Sequence, residues 1–294
     1  MTHYLIQLMI EGIEQGSIYA LWALAYAIVY QVLGLMNFAF GDSLLLSAYV
    51  MIALVTTSGL SPWVALVIAI GIAALVSMLI ERQVYARFIG KGQGEAGFIA
   101  ALACAYILRN VATTLLGNEP QTFPTLFNSS LVTVAGFQLS SGGLIVFVLC
   151  VATMVAFALF LRSSKVGRGI VLAGQDRVAA AIVGIPVRKV ITIVYGVSGA
   201  LGLVGAAMFG DLYHGLNSTT GFYITFQAFI AATVGGAGSL LGAVVGGLAL
   251  GVIESLAVGY VSGNFAQALA WSAMALIALI SPRGLLGRRV VERV

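Results

Sequence analysis

The chain has 294 residues, of which 61% are hydrophobic and only 8% are charged, and its formal net charge is +4. A soluble domain of this length carries roughly a quarter of its residues as charged side chains, so the composition excludes a soluble globular protein. The apolar runs are continuous and lack the alternation of an outer-membrane barrel strand, which leaves an all-α integral membrane protein.

Nine apolar segments follow one another along the chain, and a helix needs about 20 apolar residues to cross a bilayer. The second and seventh segments are short and lie beside glycine-rich sequence, which is typical of broken or re-entrant segments. The sequence therefore predicts eight or nine crossings in a single transmembrane domain of residues 1–294. The segments are Leu5–Val32, Leu44–Thr56, Trp63–Ile80, Phe98–Leu116, Leu144–Leu161, Val190–Phe209, Ile224–Val234, Leu240–Val258 and Phe265–Ile280.

Lysine and arginine predict the orientation, because cytoplasmic loops carry an excess of positive charge. They cluster in Arg82–Lys91, Arg162–Lys189 and Arg283–Arg293, which we expect to be cytoplasmic. The loop of residues 117–143 has no lysine or arginine and is predicted to lie outside, where Leu131–Leu139 resembles a small hairpin. The third cluster places the C-terminus in the cytoplasm, and counting the crossings back from Arg82 places the N-terminus outside.

Several ionisable residues lie in or beside the apolar segments, where a charge at the bilayer centre costs roughly 3 kcal/mol on insertion scales. Such residues usually face a partner or a cavity. Asp42 is predicted to cap the helix that begins at Leu44, and Arg109 with Glu254 is a candidate ion pair. The residues of this kind are Glu11, Glu14, Asp42, Arg109, Asp211 and Glu254.

The 36 glycines predict close helix packing, because small residues let helices approach one another in a bilayer. Gly235–Gly238 follows a short apolar segment and indicates either a helix break or a tight turn. The glycines expected at helix contacts are Gly242 with Gly246, Gly247 with Gly251, and the set Gly199, Gly202 and Gly205.

The basic segment Arg162–Val190 holds seven charged residues between two spans. Within it, Gln175–Gly184 is predicted to be a short helix that ends before Pro186, because the residue before a proline disfavours the α region. At about ten residues the helix is too short to span, so it lies against a partner, in the headgroups, or in water as a connector. Its apolar face carries Val178, Ala181, Ile182 and Ile185, at helical spacing.

The sequence carries no nucleotide-binding or catalytic motif. None of the three lysines precedes the Ser or Thr that completes a phosphate-binding loop. The two cysteines and two histidines have no metal-ligating spacing. We therefore predict no enzyme, no metal and no cofactor.

Val178-Ala179-Ala180 followed by Gly184 has the spacing of the E-A-A-x-x-x-G loop of ABC importer permeases, although Val178 stands in place of the glutamate. Other stretches strengthen this resemblance, which covers almost the whole chain in order. Together they are similar to the LivH-type permease, one of two membrane subunits of the branched-chain amino acid ABC importer. These stretches are residues 16–21, 33–42, 174–184, 234–243 and 281–287.

The resemblance implies a subunit of a bacterial inner membrane importer that works by alternating access on branched-chain or other small neutral amino acids. Its implied partners are a homologous second permease, two cytoplasmic ATPases, and a periplasmic or surface-anchored binding protein; no nucleic acid is implied. It assigns coupling to the ATPase to Asp176, Arg177, Val178, Ala179, Ala180 and Gly184. The candidates for the translocation path, beside the predicted broken segments, are Asn37, Phe40, Asp42, Gly235 and Gly236.

Other functions remain open on the residues alone. The same family includes permeases for urea and short amides. An ATP-independent channel or carrier for a small neutral solute suits the glycine-rich segments equally well, and uptake by this chain alone would favour it. A membrane enzyme or an assembly scaffold is a third class, and the lack of paired catalytic groups argues against the enzyme.

Overall fold

The computed structural model describes residues 2–88, 94–117, 119–127, 131–134, 137–236, 238–261 and 263–281, together with residues 284 and 286. In these residues the chain forms eleven α-helices and two antiparallel strand pairs. The helices are α1 (Thr2–Leu33), α2 (Phe40–Ser58), α3 (Pro62–Gln83), α4 (Gly94–Leu116), α5 (Ser141–Ser163), α6 (Lys165–Gln175), α7 (Arg177–Ile182), α8 (Val187–Tyr213), α9 (Thr220–Gly236), α10 (Leu240–Tyr260) and α11 (Gly263–Ile280). The strands are β1 (Gln121–Thr122), β2 (Leu131–Val134), β3 (Phe137–Ser140) and β4 (Gly215–Leu216).

Each of the nine predicted apolar segments lies in a helix, which confirms the all-α membrane fold. In the described residues, seven helices are long and apolar enough to cross a bilayer: α1 to α5, α8 and α10. The prediction that the second segment is short was wrong, because α2 begins at Phe40 and runs for 19 residues. Gly41 and Asp42 continue the helix through its first turn, where an acidic side chain suits the helix dipole. The third basic cluster, Arg283–Arg293, lies outside the described residues apart from Gly284 and Leu286.

The chain divides into two compact units. Unit one comprises Met1–Ala27, Ser129–Val151 and Gln227–Val294, and unit two comprises Ile28–Asn128 and Ala152–Phe226. The single permease domain of residues 1–294 stays a prediction.

In unit one, α1 and α10 pack backbone to backbone through glycines. A Cβ atom on Gly251 would lie 2.3 Å from the Cα atom of Gly16, and one on Gly247 would lie 2.3 Å from the Cα atom of Ala20. No side chain fits at such distances, so the predicted packing role of Gly247-x-x-x-Gly251 is confirmed. In a bilayer, this close approach supplies the van der Waals contact that holds helices together.

The glycine-rich sequence after α9 makes a tight turn between two closely packed helices. Gly236 has φ +118, and its carbonyl accepts the N–H of Ser239 at 2.8 Å. The Ser239 hydroxyl then accepts the N–H of Gly242 at 3.1 Å and caps α10. A Cβ atom on Gly235 would lie 1.9 Å from the Gly242 carbonyl oxygen. Of the two interpretations of Gly235–Gly238, the turn is therefore the one observed.

In unit two, α8 packs against α2 and α3 through its predicted glycine face. A Cβ atom on Gly199 would lie 2.5 Å from the carbonyl oxygen of Ala73 in α3. One on Gly202 would lie 2.7 Å from Leu44 and 2.8 Å from Phe40, both in α2. These contacts fix α8 tightly against two neighbouring spans.

The strands lie in the connections between helices. β2 and β3 pair antiparallel from Leu131 opposite Ser140 to Val134 opposite Phe137. The predicted hairpin is thus confirmed, while its two turn residues lie outside the described residues. In unit two, β1 pairs with β4 just after α8 ends. Beside this pair, the carboxylate of Asp211 accepts the backbone N–H of Leu126 at 2.6 Å, so this intramembrane acid anchors a loop.

Candidate functional site

The basic segment forms two short helices where the sequence predicted one. The predicted helix Gln175–Gly184 was wrong at its start, because Gln175 ends α6 and Asp176 has an extended backbone with φ −154. The Asp176 carboxylate accepts the N–H groups of Val178 at 2.8 Å and Ala179 at 3.0 Å. Asp176 is thus the N-cap of α7, since its side chain satisfies backbone donors that have no partner inside the helix.

The predicted apolar face of α7 is exposed in this chain. Val178 is 71% exposed and Ile182 is 80% exposed, whereas Ala180 is only 2% exposed. The helix therefore rests on its own chain through one small side chain. Val183, directly after α7, is 71% exposed and extends the exposed apolar surface. We call Val178, Ile182 and Val183 the α7 surface.

Gly184 ends α7 in the conformation that favours glycine. Its φ is +84, and a Cβ atom there would meet nothing within 4 Å. The N–H of Gly184 donates to the carbonyl of Ala181, and the N–H of Ile185 donates to the carbonyl of Ala180, both at 3.0 Å. This pair of bonds is a Schellman cap. It explains the spacing from Ala180 to Gly184, because the two residues form its first and fifth positions.

α6, which the sequence analysis missed, packs closely on unit two. A Cβ atom on Gly167 would lie 2.4 Å from the carbonyl oxygen of Phe160 in α5, and one on Gly174 would lie 3.0 Å from the Gln31 side chain. Ile170 and Ala173 are buried beside them. The signal was present in the alternation of buried small residues with exposed Lys165 and Arg168. α6 therefore forms a packed base for α7.

A buried ion pair joins α2 to α4. Arg109 Nε and Nη2 donate to the two carboxylate oxygens of Asp42, each at 3.0 Å. Asp42 is 1% exposed, and the Arg109 guanidinium also lies 5.6 Å from the ring centroid of Phe222 in α9. The forked geometry matches a carboxylate in both bonds. The predicted capping role of Asp42 was wrong, because α2 begins two residues before it.

The predicted pairing of Arg109 with Glu254 was also wrong. The side-chain amide of Gln227 makes both contacts. Its Nε2 donates to the Glu254 carboxylate at 3.0 Å, and its Oε1 accepts the indole N–H of Trp271 at 3.1 Å. This chain joins α9, α10 and α11 in unit one, and Gln227 is fully buried. A glutamine inside an apolar segment was the sequence signal that could have revealed it.

The candidate path residues of unit two share one region around the start of α2. The Tyr85 hydroxyl donates to Asn37 Oδ1 at 2.7 Å, and Phe40 lies over Gly202 of α8. The Gly41 N–H donates to the Thr225 hydroxyl at 2.8 Å. Asn37, Phe40 and Asp42 are all buried. Opening a path beside them requires α2 to move relative to its neighbours.

The other two candidates, Gly235 and Gly236, belong to unit one. Gly235 touches the backbone of Gly242, and Gly236 lies against Gly284. Gly235 therefore packs α9 against α10, whereas Gly236 ends α9 at the tight turn. As path residues, all five candidates stay predictions.

Comparison with known proteins gives one family along nearly the entire chain. The family described as branched-chain amino acid transport system, permease component, matches residues 8–280. The LivH high-affinity branched-chain amino acid permease of Salmonella typhimurium is 30% identical over 99% of this chain and 98% of its own. The Escherichia coli protein LivH is 31% identical with the same coverage. The Pseudomonas aeruginosa protein BraD is 30% identical over 99% of this chain and 98% of its own.

Among solved structures, PsaBC from Streptococcus pneumoniae in complex with Fab aligns over 96% of this chain and 92% of that chain. Its TM-score is 0.48 and its sequence identity is 17%. This similarity is too low to carry a structural or functional argument.

Proposed function

Since the chain belongs to the family of permease components of branched-chain amino acid transport systems, we propose that it moves branched-chain or other small neutral amino acids into the cytoplasm as one subunit of an ATP-driven importer. A permease component is a transport subunit and not an enzyme. The energy for transport therefore comes from partner subunits. The proposed partners are two cytoplasmic ATPases, a homologous second permease and a substrate-binding protein outside the membrane.

The exposed α7 surface is the observation that supports this function. Val178, Ile182 and Val183 are exposed on and directly after a six-residue helix. In water such an apolar surface is costly unless another protein covers it. A short helix with one exposed apolar side fits the helix-in-groove mode of recognition. We assign that groove to an ATPase, because the surrounding basic segment Arg162–Lys189 is the part predicted to face the cytoplasm.

The proposed mechanism is alternating access driven through α7. The capped α7 lies between α6, which packs on α5 and Gln31, and α8, which packs on α2 and α3. Closure of the ATPases would displace α7 and, with it, α8. The outward-open and inward-open packings would then exchange. The proposed path residues are Asn37, Phe40 and Asp42 in unit two, and Gly235 and Gly236 in unit one.

The proposed location is the inner membrane of a bacterium, with the C-terminus in the cytoplasm and the N-terminus outside. Nine crossings give this parity, provided that the 17-residue α9 and the 18-residue α11 both span. The basic clusters of Arg82–Lys91 and Arg162–Lys189 support this orientation by the positive-inside rule.

Ile182→Lys tests the coupling assignment. A lysine at the last residue of α7 suits the helix dipole and keeps the helix, while its charge is placed in the middle of the proposed contact. The matched control is Ile280→Lys, because Ile280 is also the last residue of its helix and is 85% exposed. Both tagged variants are purified in mild detergent from their native membrane, and ATPase co-purification and amino acid uptake are measured.

We expect Ile182→Lys to lose the ATPases and uptake while its membrane level stays normal. Ile280→Lys should keep both. Co-purification of a second permease and ATPases with the unmodified chain would support the importer. If a loaded binding protein stimulates their ATPase activity, the ligand of that binding protein identifies the substrate. Recovery of the unmodified chain alone, still passing solute in liposomes, would contradict the importer and favour a channel. A urea-loaded or amide-loaded binding protein would change the substrate class only.

A further inference from the structure

A basic groove lies at the ends of α3 and α8 in unit two. It has a volume of about 650 Å³ and is lined by Arg82, Pro186, Val187, Arg188, Lys189 and Thr192. Three of these six side chains carry a positive charge. The neighbouring Glu81 is 1% exposed and already accepts the Thr192 hydroxyl at 2.8 Å. The accessible part of the groove is therefore cationic.

The backbone adds to this charge. α8 begins at Val187, which lines the groove together with Arg188. The first N–H groups of a helix lack partners within the helix. The helix dipole makes the same end partly positive. Arginine and lysine side chains above such an end form a site for an oxyanion, because every donor in it favours negative charge.

An exposed apolar stripe on α3 leads into the groove. Leu75 is 61% exposed and Leu79 is 54% exposed, and Arg82 follows at helical spacing on the same face. Only 33% of an apolar 18-residue stretch of this helix is buried inside the chain. An apolar stripe ending at a cationic groove matches a ligand with hydrocarbon chains and an anionic head.

We propose that this groove binds the phosphate headgroup of an anionic phospholipid, with its acyl chains along Leu75 and Leu79. Thr192 lies one turn beyond Arg188 into the span, so the groove extends from the headgroup level toward the hydrocarbon. A lipid reaches both levels at once, whereas a soluble partner reaches only the outer one. Basic pockets between spans at a membrane face are a known setting for such headgroups.

The test measures lipid selectivity of the permease complex in mild detergent by native mass spectrometry. The probes are dioleoylphosphatidylglycerol, dioleoylphosphatidylcholine with the same chains and no net charge, and inorganic phosphate without chains. The groove variant is Arg188→Gln with Lys189→Gln. Its matched control is Arg162→Gln with Lys165→Gln, since these exposed cations belong to the same basic segment but do not line the groove.

We expect the unmodified chain to bind phosphatidylglycerol in preference to phosphatidylcholine. Removal of each cation should weaken phosphatidylglycerol binding about fivefold, and thus roughly 25-fold for the groove variant, while the control keeps the preference. Leu79→Asn should weaken both lipids. The proposal is overturned if the two double variants behave alike, or if inorganic phosphate binds as tightly as phosphatidylglycerol. It is also overturned if the groove variant loses the ATPases but retains lipid selectivity, which would make the groove a protein contact.

Discussion

Gly184 offers a sharp test of how α7, the proposed coupling helix, is built. Its φ of +84 is disfavoured for a residue with a Cβ atom, yet a Cβ atom there would meet nothing within 4 Å. Substitution should therefore cost backbone energy alone, about 1–2 kcal/mol for Gly184→Ala. A loss of this size shifts the local equilibrium of the α7 cap by roughly 5- to 30-fold. A helix of six residues has too few backbone hydrogen bonds to stay formed after such a loss of free energy.

The order of a substitution series separates backbone strain from crowding. Asparagine tolerates the left-handed conformation better than alanine, and β-branched valine tolerates it worst. We expect uptake and stimulated ATPase activity in proteoliposomes to fall in the order Gly, Asn, Ala, Val. If space were limiting instead, the larger asparagine would be worse than alanine.

Gly59 is the matched control for this series. It ends α2 with φ +63, and a Cβ atom there also meets nothing within 4 Å. Gly59→Ala should cost a similar free energy but leave ATPase co-purification intact, because the proposed orientation places the end of α2 on the outer face and α7 on the cytoplasmic face. Equal losses of coupling at Gly59 and Gly184 would refute the assignment of α7, and a worse Asn than Ala variant at Gly184 would refute the conformational argument.

Two further perturbations test the packing within each unit. Arg109→Met should lower stability by about 3–5 kcal/mol, because it leaves the Asp42 carboxylate buried without its cation. Adding Asp42→Asn should recover part of that loss, and thermal unfolding in detergent measures both; full additivity would contradict the pair. Gly251→Leu should prevent accumulation of folded protein, since even its Cβ atom would lie 2.3 Å from the backbone of α1. Gly71→Leu is the control, because a Cβ atom at Gly71 would meet nothing within 4 Å. This variant should accumulate normally in membranes, as measured by immunoblot.

The spans could be predicted because each depends on a local property. A run of about 20 apolar residues must form a helix in hydrocarbon, where no water can satisfy the backbone. The glycine faces could be predicted because small residues let helices approach closely in a bilayer. Helix contacts are observed at Gly199, Gly202, Gly247 and Gly251. Helical spacing predicted that Val178 and Ile182 share an apolar face, but it did not include Val183, which completes the α7 surface.

The polar partners could not be predicted, because sequence spacing gives no information on long-range neighbours. Arg109 was available to any intramembrane acid, and only the packing of α2 against α4 selects Asp42 over Glu254. The helix break at Asp176 could not be predicted for a different reason. The residues around it are acceptable helix formers, and the helix ends there because the aspartate side chain bonds the following N–H groups better than it fits inside a helix.

α7, the proposed coupling helix, and the candidate path residues of unit two are connected through α8. α7 ends in a turn fixed by Gly184, and α8 begins three residues later at Val187. Near its middle, α8 touches Phe40 and Leu44 at Gly202 without room for a methyl group. A contact this tight cannot absorb a displacement of α8 by local compression. Movement of α7 must therefore either shift α2, with Phe40 and its Asp42–Arg109 pair, or separate α8 from α2, and both outcomes change the region where the path is proposed.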